Sequence, residues 1–344
     1  MKHFILSITL FCLAVTAFAL PSLFDRQLFK VYNTKNINID LTWENLDIQQ
    51  SDEIDNILVE IYCNNRKWAP EVKSSGSTII VRAKKKSYST LVQKKCTVIM
   101  RIPSSIEFDT VSLSATSGEI HTQIEINAER FDSSTTSGDL SLTEAIFAQK
   151  ISLSSTSGDI FAEAIFGDEL KANSTSGSIY VKTFEGKSGS FNSTSGSQKL
   201  TNTKVQRITN KSTSGSITVE GQVLQAFDMD STSGTIGLEL DDVPSNSSRA
   251  SSTSGTIFMG VPGNAGFNLS VQTTSGSFTN AITREKLGSH VDYKGEINNG
   301  GPKISLSSTS GNITIDSNNG VMGRAADKKT DAEVPVVSFE DTIF

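Results

Sequence analysis

The residues in this chain best suited to chemistry are the hydroxyls of a recurring Thr-Ser-Gly motif. Ten copies occur, and each presents a threonine and a serine directly before a glycine. A serine or threonine hydroxyl becomes a nucleophile only beside a base, and no His–Asp set recurs next to the motif. The chain has only 3 histidines. We therefore expect no catalytic residues and no enzyme activity, and expect the hydroxyls to serve structure or binding.

The motif residues form two sets, which we expect to be the structural repeat and a surface stripe. The repeat glycines are Gly118, Gly138, Gly158, Gly177, Gly196, Gly215, Gly234, Gly255, Gly276 and Gly311. The stripe threonines are Thr116, Thr136, Thr156, Thr175, Thr194, Thr213, Thr232, Thr253, Thr274 and Thr309.

Acidic residues follow the glycine in three consecutive copies, as Glu119, Asp139 and Asp159. Stacked carboxylates repel one another, and a hard cation such as calcium would relieve that repulsion. The alternative is that the three side chains point into water at an exposed turn. They are the only metal candidates, and we expect no other cofactor.

The spacing of the motif predicts the architecture. Successive glycines are 19 to 21 residues apart, except for a last interval of 35, and a fixed period near 20 is typical of a solenoid. Around Gly158, Ile151 and Leu153 alternate with serines, as in a strand with one buried face. The fold class is therefore all-β: a parallel, β-helix-like solenoid of coils of about 19–21 residues, with a less regular N-terminal β cap.

Within each coil, alternation assigns a direction to each side chain. An apolar anchor lies two residues after every motif glycine except Gly196, where Gln198 takes its place. By the same parity, the serine before the glycine should point inward and the threonine outward. The glycine should allow the turn, with positive φ if needed.

Composition agrees with a thin stack. Hydrophobic residues make up 36% and aromatic residues 7% of the 344 residues, which suits a narrow core. The net charge of −6 is opposite in sign to the basic surface that nucleic-acid binding needs, so we expect no nucleic-acid partner.

Four regions follow along the chain. Residues 1–19 read as a signal peptide with an apolar run and an Ala17-Phe18-Ala19 cleavage site, so we expect an extracytoplasmic protein: secreted, on the cell surface or periplasmic. Residues 20–105 should form irregular first coils or a cap, and 106–317 the repeat solenoid. An insertion at about 284–298 should protrude as a loop or form a small lateral hairpin, and 318–344 should be a flexible tail. No segment of the mature chain is expected to span a membrane.

Cys63 and Cys96 are the only cysteines of the mature chain. An extracytoplasmic compartment permits a disulfide, but the coil count puts the two residues two coils apart, roughly 10 Å, too far to bridge without an offset. A bond and two buried thiols therefore both stay open. Nearby, Lys84, Lys85, Lys86, Lys94 and Lys95 make a basic patch that is either solvated or docks to an anionic surface.

The repeats resemble those of a known family. "STSGDI", "STSGSIYV" and "STSGNITI", the early "KSSGSTIIVRAKK", the "VIMRIPSS" stretch and the late "GGPKISLSSTSGNITI" are similar to DUF4097 proteins, which are provisionally classed as adhesins. The resemblance covers roughly residues 30–317. It implies a β-solenoid without established catalytic residues.

The leading hypothesis is a non-enzymatic adhesin-like or scaffold module that binds a surface glycan or a protein along an extended lateral face. The first alternative is a carbohydrate-active β-helix enzyme, which would need converging carboxylates. The second is binding of ice or a crystal surface by the threonine column. Open-ended solenoids can also stack end to end, so self-association is possible.

Overall fold

The computed structural model describes residues 21–84 and 95–318, and most of these residues are in β-strands. The N-terminal end contains β1 (Ser22–Lys30), β2 (Asn36–Leu41), β3 (Asn45–Ser51), β4 (Asn56–Cys63), β5 (Glu71–Ser75), β6 (Thr78–Arg82) and β7 (Cys96–Pro103). Two 3-10 turns, Val31–Asn33 and Arg66–Trp68, lie among them. The predicted leader, the tail beyond Asn318, and Lys85, Lys86 and Lys94 lie outside the described residues.

The middle of the chain forms the regular stack: β8 (Glu107–Ala115), β9 (Ile120–Thr122), β10 (Ile126–Thr135), β11 (Leu140–Ser155), β12 (Ile160–Ser174), β13 (Ile179–Ser193), β14 (Gln198–Ser212), β15 (Ile217–Ser231), β16 (Ile236–Leu240), β17 (Ser248–Ser252) and β18 (Ile257–Val261). The C-terminal end contains β19 (Phe267–Thr273), β20 (Phe278–Asn280), β21 (Glu285–Leu287), β22 (Val291–Ile297), β23 (Lys303–Ser308) and β24 (Ile313–Ser317).

Coils stack in parallel, with equivalent residues opposite each other. Ile160 pairs with Ile179, Ile179 with Gln198 and Gln198 with Ile217. Parallel pairing of every coil with the next confirms the predicted β-solenoid. The apolar anchors are all buried, as predicted: Ile120, Leu140, Ile160, Ile179, Ile217, Ile236, Ile257, Phe278 and Ile313. They belong to one continuous core cluster that follows the stack from end to end.

The motif glycines are required by the close approach of neighbouring coils. A Cβ on Gly196 would overlap the backbone carbonyl oxygen of Gly177, and the same holds for each motif glycine and the equivalent residue of the neighbouring coil. Positive φ is not the reason, because the glycines with positive φ are Gly76, Gly221, Gly300 and Gly301. The expectation of a special φ at the motif was therefore wrong. Glycine is needed there because no other residue lets two backbones come this close.

At both ends of the stack, spatial order departs from chain order. β2 lies between β6 and β8, and β3 lies between β7 and β9. At the other end β23 lies between β17 and β19, and β24 between β18 and β20. The first coil in the chain, β2 and β3, and the last, β23 and β24, are therefore each enclosed one place inside the stack. Strands β6 and β7 cover the first, and β19 and β20 cover the last.

The outermost strands at each end are antiparallel. At the N-terminal end β1 pairs with β4 and β4 with β7, while β5 pairs with β6. At the C-terminal end, β22 pairs antiparallel with β19 and β21 with β20. The insertion at 284–298 forms neither of the two predicted structures, a protruding loop or a lateral hairpin, because β21 and β22 pair with β20 and β19 and not with each other. Instead, the chain folds back so that β21 and β22 lie along the outer edge of β20 and β19, because that edge offers unpaired backbone groups.

Cys63 and Cys96 form a disulfide, and their Cα atoms are 4.2 Å apart. The predicted separation of two coils was wrong because β4 runs antiparallel to β7 and places the two residues directly opposite each other. Ile61 and Ala69 pack with the disulfide, and Trp43 covers this cluster. Trp43 meets Trp68 edge to face at a centroid distance of 6.0 Å. The disulfide thus joins the two strands that cover the N-terminal end.

Gln198, the one polar anchor, is buried together with a polar partner. Both Gln198 and Asn210 are at most 1% exposed. Asn210 Nδ2 donates to Gln198 Oε1 at 2.8 Å, and Gln198 Nε2 donates to the Lys211 carbonyl at 2.6 Å and Ser193 Oγ at 3.1 Å. A buried amide costs little when it is hydrogen-bonded, and this holds for both polar atoms of the Gln198 amide, whereas Asn210 Oδ1 has no partner among the described residues. The pair takes the place of the apolar contact that neighbouring coils make.

We expect Gly196→Ala to lower the free energy of unfolding by at least about 2 kcal/mol, because its Cβ meets the backbone and not a movable side chain. Gly237→Ala is the matched control, since its Cβ would lie 3.8 Å from the nearest atom, Thr218 Oγ1. That control should be neutral or stabilising by up to about 1 kcal/mol. Urea unfolding of the two variants measures the difference, and equal losses would contradict close packing as the reason for the motif glycine.

Removing the disulfide by Cys63→Ser with Cys96→Ser should destabilise the N-terminal end. The bond closes a sequence separation of 33 residues, for which chain entropy gives about 3–4 kcal/mol. Hydrogen exchange should increase in β1, β4 and β7 and stay unchanged in β13 and β14. An equal increase in exchange along the whole stack, or no increase in any strand, would show that the bond does not specifically stabilise this end.

Asn210→Met alone should destabilise the protein by about 1–3 kcal/mol, because it leaves the Gln198 amide without its buried partner. Adding Gln198→Ile should recover that loss or exceed it, since the double variant matches the neighbours Ile217 and Met229. Thermal unfolding of the single and double variants tests this coupling. Additive losses would mean that the two amides act independently.

Candidate functional site

In five of the ten copies, at Gly215, Gly234, Gly255, Gly276 and Gly311, the turn uses one buried hydroxyl internally, and every copy exposes the next two residues. The first copy has Ala115 at this position, and the buried hydroxyls of Thr135, Ser155 and Ser174 have no partner among the described residues. The residue before the motif threonine is buried, as at Ser212, and its Oγ accepts from the Gly215 N–H at 2.9 Å. The same contact spans 2.8 Å at Ser308 and Gly311. The following threonine and serine are both exposed. The prediction that the serine points inward was therefore wrong, because strand alternation ends at the turn and two consecutive side chains face water.

All ten stripe threonines are exposed, and each is followed by an exposed serine. We call these two columns the hydroxyl edge. Its backbone is regular: the Ser214 N–H donates to the Thr194 carbonyl at 2.8 Å, and the Ser310 N–H to Thr253 at 2.9 Å. In space, Thr309 lies between Thr253 and Thr274, following the order of the coils. The threonine side-chain hydroxyls make no hydrogen bond to another described residue.

A furrow of about 440 Å³ runs along this edge over four coils. Thr213, Thr232 and Thr253 form one wall. The other wall consists of outward side chains of the adjacent sheet face: Asn192, Lys211, Asp230 and Ser251. Asp230 accepts from Arg249 Nη2 at 2.9 Å, whereas Lys211 has no ion pair with a described residue. The furrow is thus lined by hydroxyl, amide and charged groups.

The acidic column on the other side of the motif stabilises the turn. Asp139 Oδ1 accepts from the Asp159 N–H at 2.8 Å, and Asp159 Oδ1 from the Ser178 N–H at 2.7 Å. The Glu119 N–H donates to Asn45 Oδ1 at 3.1 Å. Where the structure describes the chain, no group of three or more His, Cys, Asp or Glu residues could hold a metal ion. The contacts give the Asp139 and Asp159 carboxylates a structural role, whereas Glu119 takes part through its backbone only. A cation at this column stays a prediction.

Two further titratable groups lie on the outer face of the strands that follow the motif. Burial raises the pKa of Glu220, with Lys199 opposing the shift and Glu239 adding to it. Burial lowers the pKa of His121, against the attraction of Asp47 and Glu119. Glu220 and Glu239 are opposite each other on β15 and β16. Neighbouring carboxylates are the feature that an enzyme hypothesis would start from, yet these face outward on a strand pair and not into a furrow.

Aromatic side chains on the outer face stack between coils. Phe161 and Tyr180 are 5.5 Å apart at 16°, and Phe147 and Phe166 are 4.7 Å apart at 10°. Lys199 Nζ lies 5.9 Å from the centroid of the Tyr180 ring. Because ring faces contact their neighbours along the stack, the rings present mainly edges to solvent. These ladders therefore stabilise the coils more than they offer flat platforms to a sugar.

Sequence reasoning found the threonine column of the hydroxyl edge, and it missed the serine column and the opposite wall of the furrow. Asn192, Lys211, Asp230 and Ser251 share no residue type, so no motif marks them. They could have been found only as the positions two residues before the motif threonine, where every coil has an outward side chain. No helix in the described ranges is long and apolar enough to cross a bilayer.

Comparison with known proteins gives a family match and distant structural relatives. Residues 34–220 and 165–316 match the family model described as Toastrack DUF4097. A protein of Parabacteroides distasonis, provisionally named a lipid binding protein, is 16% identical with a TM-score of 0.47, over 85% of this chain and 96% of its own.

Two provisionally named adhesins are also similar. The one from Parabacteroides distasonis is 15% identical with a TM-score of 0.47, over 70% of this chain and 94% of its own. The one from Parabacteroides merdae is 15% identical with a TM-score of 0.43, over 69% of this chain and 92% of its own. No curated protein matches this chain. The two family matches together span most of the chain, which therefore belongs to the Toastrack DUF4097 family.

Proposed function

We propose that this protein is a non-enzymatic, adhesin-like binding module that acts outside the cytoplasm and holds an extended polysaccharide along its hydroxyl edge. The observation that carries the proposal is the furrow between Thr213, Thr232 and Thr253 and the wall that contains Asn192 and Lys211. Its threonine hydroxyls are available because the coil uses a different, buried hydroxyl for its own turn.

The lining favours a polyhydroxylated ligand over a protein. Protein interfaces depend on buried aromatic or aliphatic anchors, and this furrow is lined by hydroxyl, amide and charged groups. Its threonines repeat once per coil, at roughly 4.8 Å, so a polymer lying along the stack meets the same threonine hydroxyl in every coil. Many weak hydrogen bonds in register give avidity without one strong contact.

The disulfide supports a location outside the cytoplasm. Such bonds persist in oxidising compartments, and Cys63 and Cys96 are joined in the structure. The leader predicted for residues 1–19 points the same way.

Co-sedimentation with cellulose, chitin and bacterial cell-wall sacculi tests the proposal. Thr213→Tyr with Thr232→Tyr should fill the furrow and weaken binding by about tenfold, or about 1.4 kcal/mol. Leu224→Tyr with Leu287→Tyr, at exposed positions that lie off the hydroxyl edge, should leave binding unchanged. No retention by any polymer, or equal retention of both variants, would contradict the proposal. Release of new sugar ends would instead support the carbohydrate-active alternative.

A further inference from the structure

The outermost strand at the N-terminal end, β1, has a free edge. Its nine residues pair with β4 on one side and with no described strand on the other. Such an edge presents a row of unpaired N–H and C=O groups and is a template for another strand. The opposite end differs, because the folded-back β22 that covers it is two residues shorter and its two apolar ends, Val291 and Ile297, are buried.

Exposed apolar side chains concentrate at this same end. Six large apolar side chains are exposed in the described ranges, and four lie here. Leu23 and Leu28, on β1 itself, are 49% and 55% exposed, and Tyr32 and Ile54 lie beside the strand's end at 76% and 85%. A monomer would leave these four side chains in water at the strand edge most able to pair.

The outer face of β1 is symmetric about Arg26. The strand has a bulge at Phe24, so Leu23, Arg26 and Leu28 lie opposite Tyr62, Glu60 and Leu58, which are alternate residues of β4. The three side chains therefore point to one face, with a leucine one step of the pleat on either side of the arginine. A second β1 running antiparallel, with Arg26 opposite its own copy, places each Leu23 opposite a Leu28.

Charges and polar groups fit the same register. Arg26 Nε lies 3.6 Å from Glu60 Oε1, and Arg101 Nε lies 3.3 Å from Glu60 Oε2. Each Arg26 of the pair thus has a carboxylate beside it, which offsets the repulsion between the two cations. On the opposite face Asp25 would meet Gln27, and within one chain Gln27 Nε2 already donates to Asp25 Oδ2 at 2.9 Å.

We propose that β1 pairs antiparallel with β1 of a second copy, which joins two solenoids head to head about a two-fold axis. The contact is isologous and closes as a dimer, so it does not propagate into fibres. It also leaves the hydroxyl edge free, because the furrow lies on coils far from β1 in the stack. The dimer therefore presents two binding edges.

Disulfide trapping tests the register. Arg26→Cys should give a cross-linked dimer on a non-reducing gel, because residue 26 faces its own copy. Leu28→Cys should not, because it faces residue 23. Equal cross-linking of both variants, or none by Arg26→Cys, would overturn the proposed register.

Sedimentation of the purified protein tests whether the exposed leucines of β1 mediate dimerisation. The unaltered protein should be a dimer, and Leu23→Lys with Leu28→Lys should be at least about tenfold more dissociated, because charges on an edge strand oppose pairing. Leu224→Lys with Leu287→Lys is the control, since these side chains are similarly exposed, at 44% and 42%, and lie elsewhere. Circular dichroism confirms that each variant is folded. A monomeric unaltered protein, or a dimer that survives the β1 changes, would overturn the proposal. Polysaccharide binding can persist in either case.

Discussion

The contact on which this structure depends is the one between the backbones of neighbouring coils at the Thr-Ser-Gly turn. Each motif glycine lies against the carbonyl oxygen of its counterpart, as Gly196 does against Gly177. The exposed serine beside it continues the backbone ladder, as Ser214 does with Thr194. Because this contact forces the coils into one register, the apolar anchors and the outward threonines align as a consequence.

That constraint also decides where polar groups can go. A buried hydroxyl such as that of Ser212 accepts the hydrogen bond of the glycine N–H at the turn. The side chains of the threonine and serine that follow are therefore not needed for the turn. The coil can accept Gln198 in the core because Asn210 and Ser193 supply its hydrogen bonds. Outward positions are free to vary, and the charged wall of the furrow arose at such positions.

A stack of parallel coils leaves unpaired backbone groups at both of its ends. Both ends of this protein cover them with the same arrangement. The first coil in the chain (β2 and β3) and the last (β23 and β24) are each enclosed between parallel strands, and antiparallel strands lie outermost. At the N-terminal end Cys63–Cys96 fastens β4 to β7, and β4 in turn positions β1. The exposed leucines of β1 are thus held in a fixed geometry, which gives head-to-head pairing a physical basis.

The sequence by itself determined the family, the period, the buried anchors and the exposed threonine column, because these follow from local alternation repeated ten times. It could not show that Cys63 faces Cys96, that residues 284–298 cover an edge, or that Gly311 stacks between Gly255 and Gly276. Strand direction and coil order depend on which strand edge each segment pairs with. Near-identical repeats do not specify that edge, because any of them would fit it equally well. Likewise, parity predicted an inward serine at position 214, and only the turn's three-dimensional path decided that it faces water.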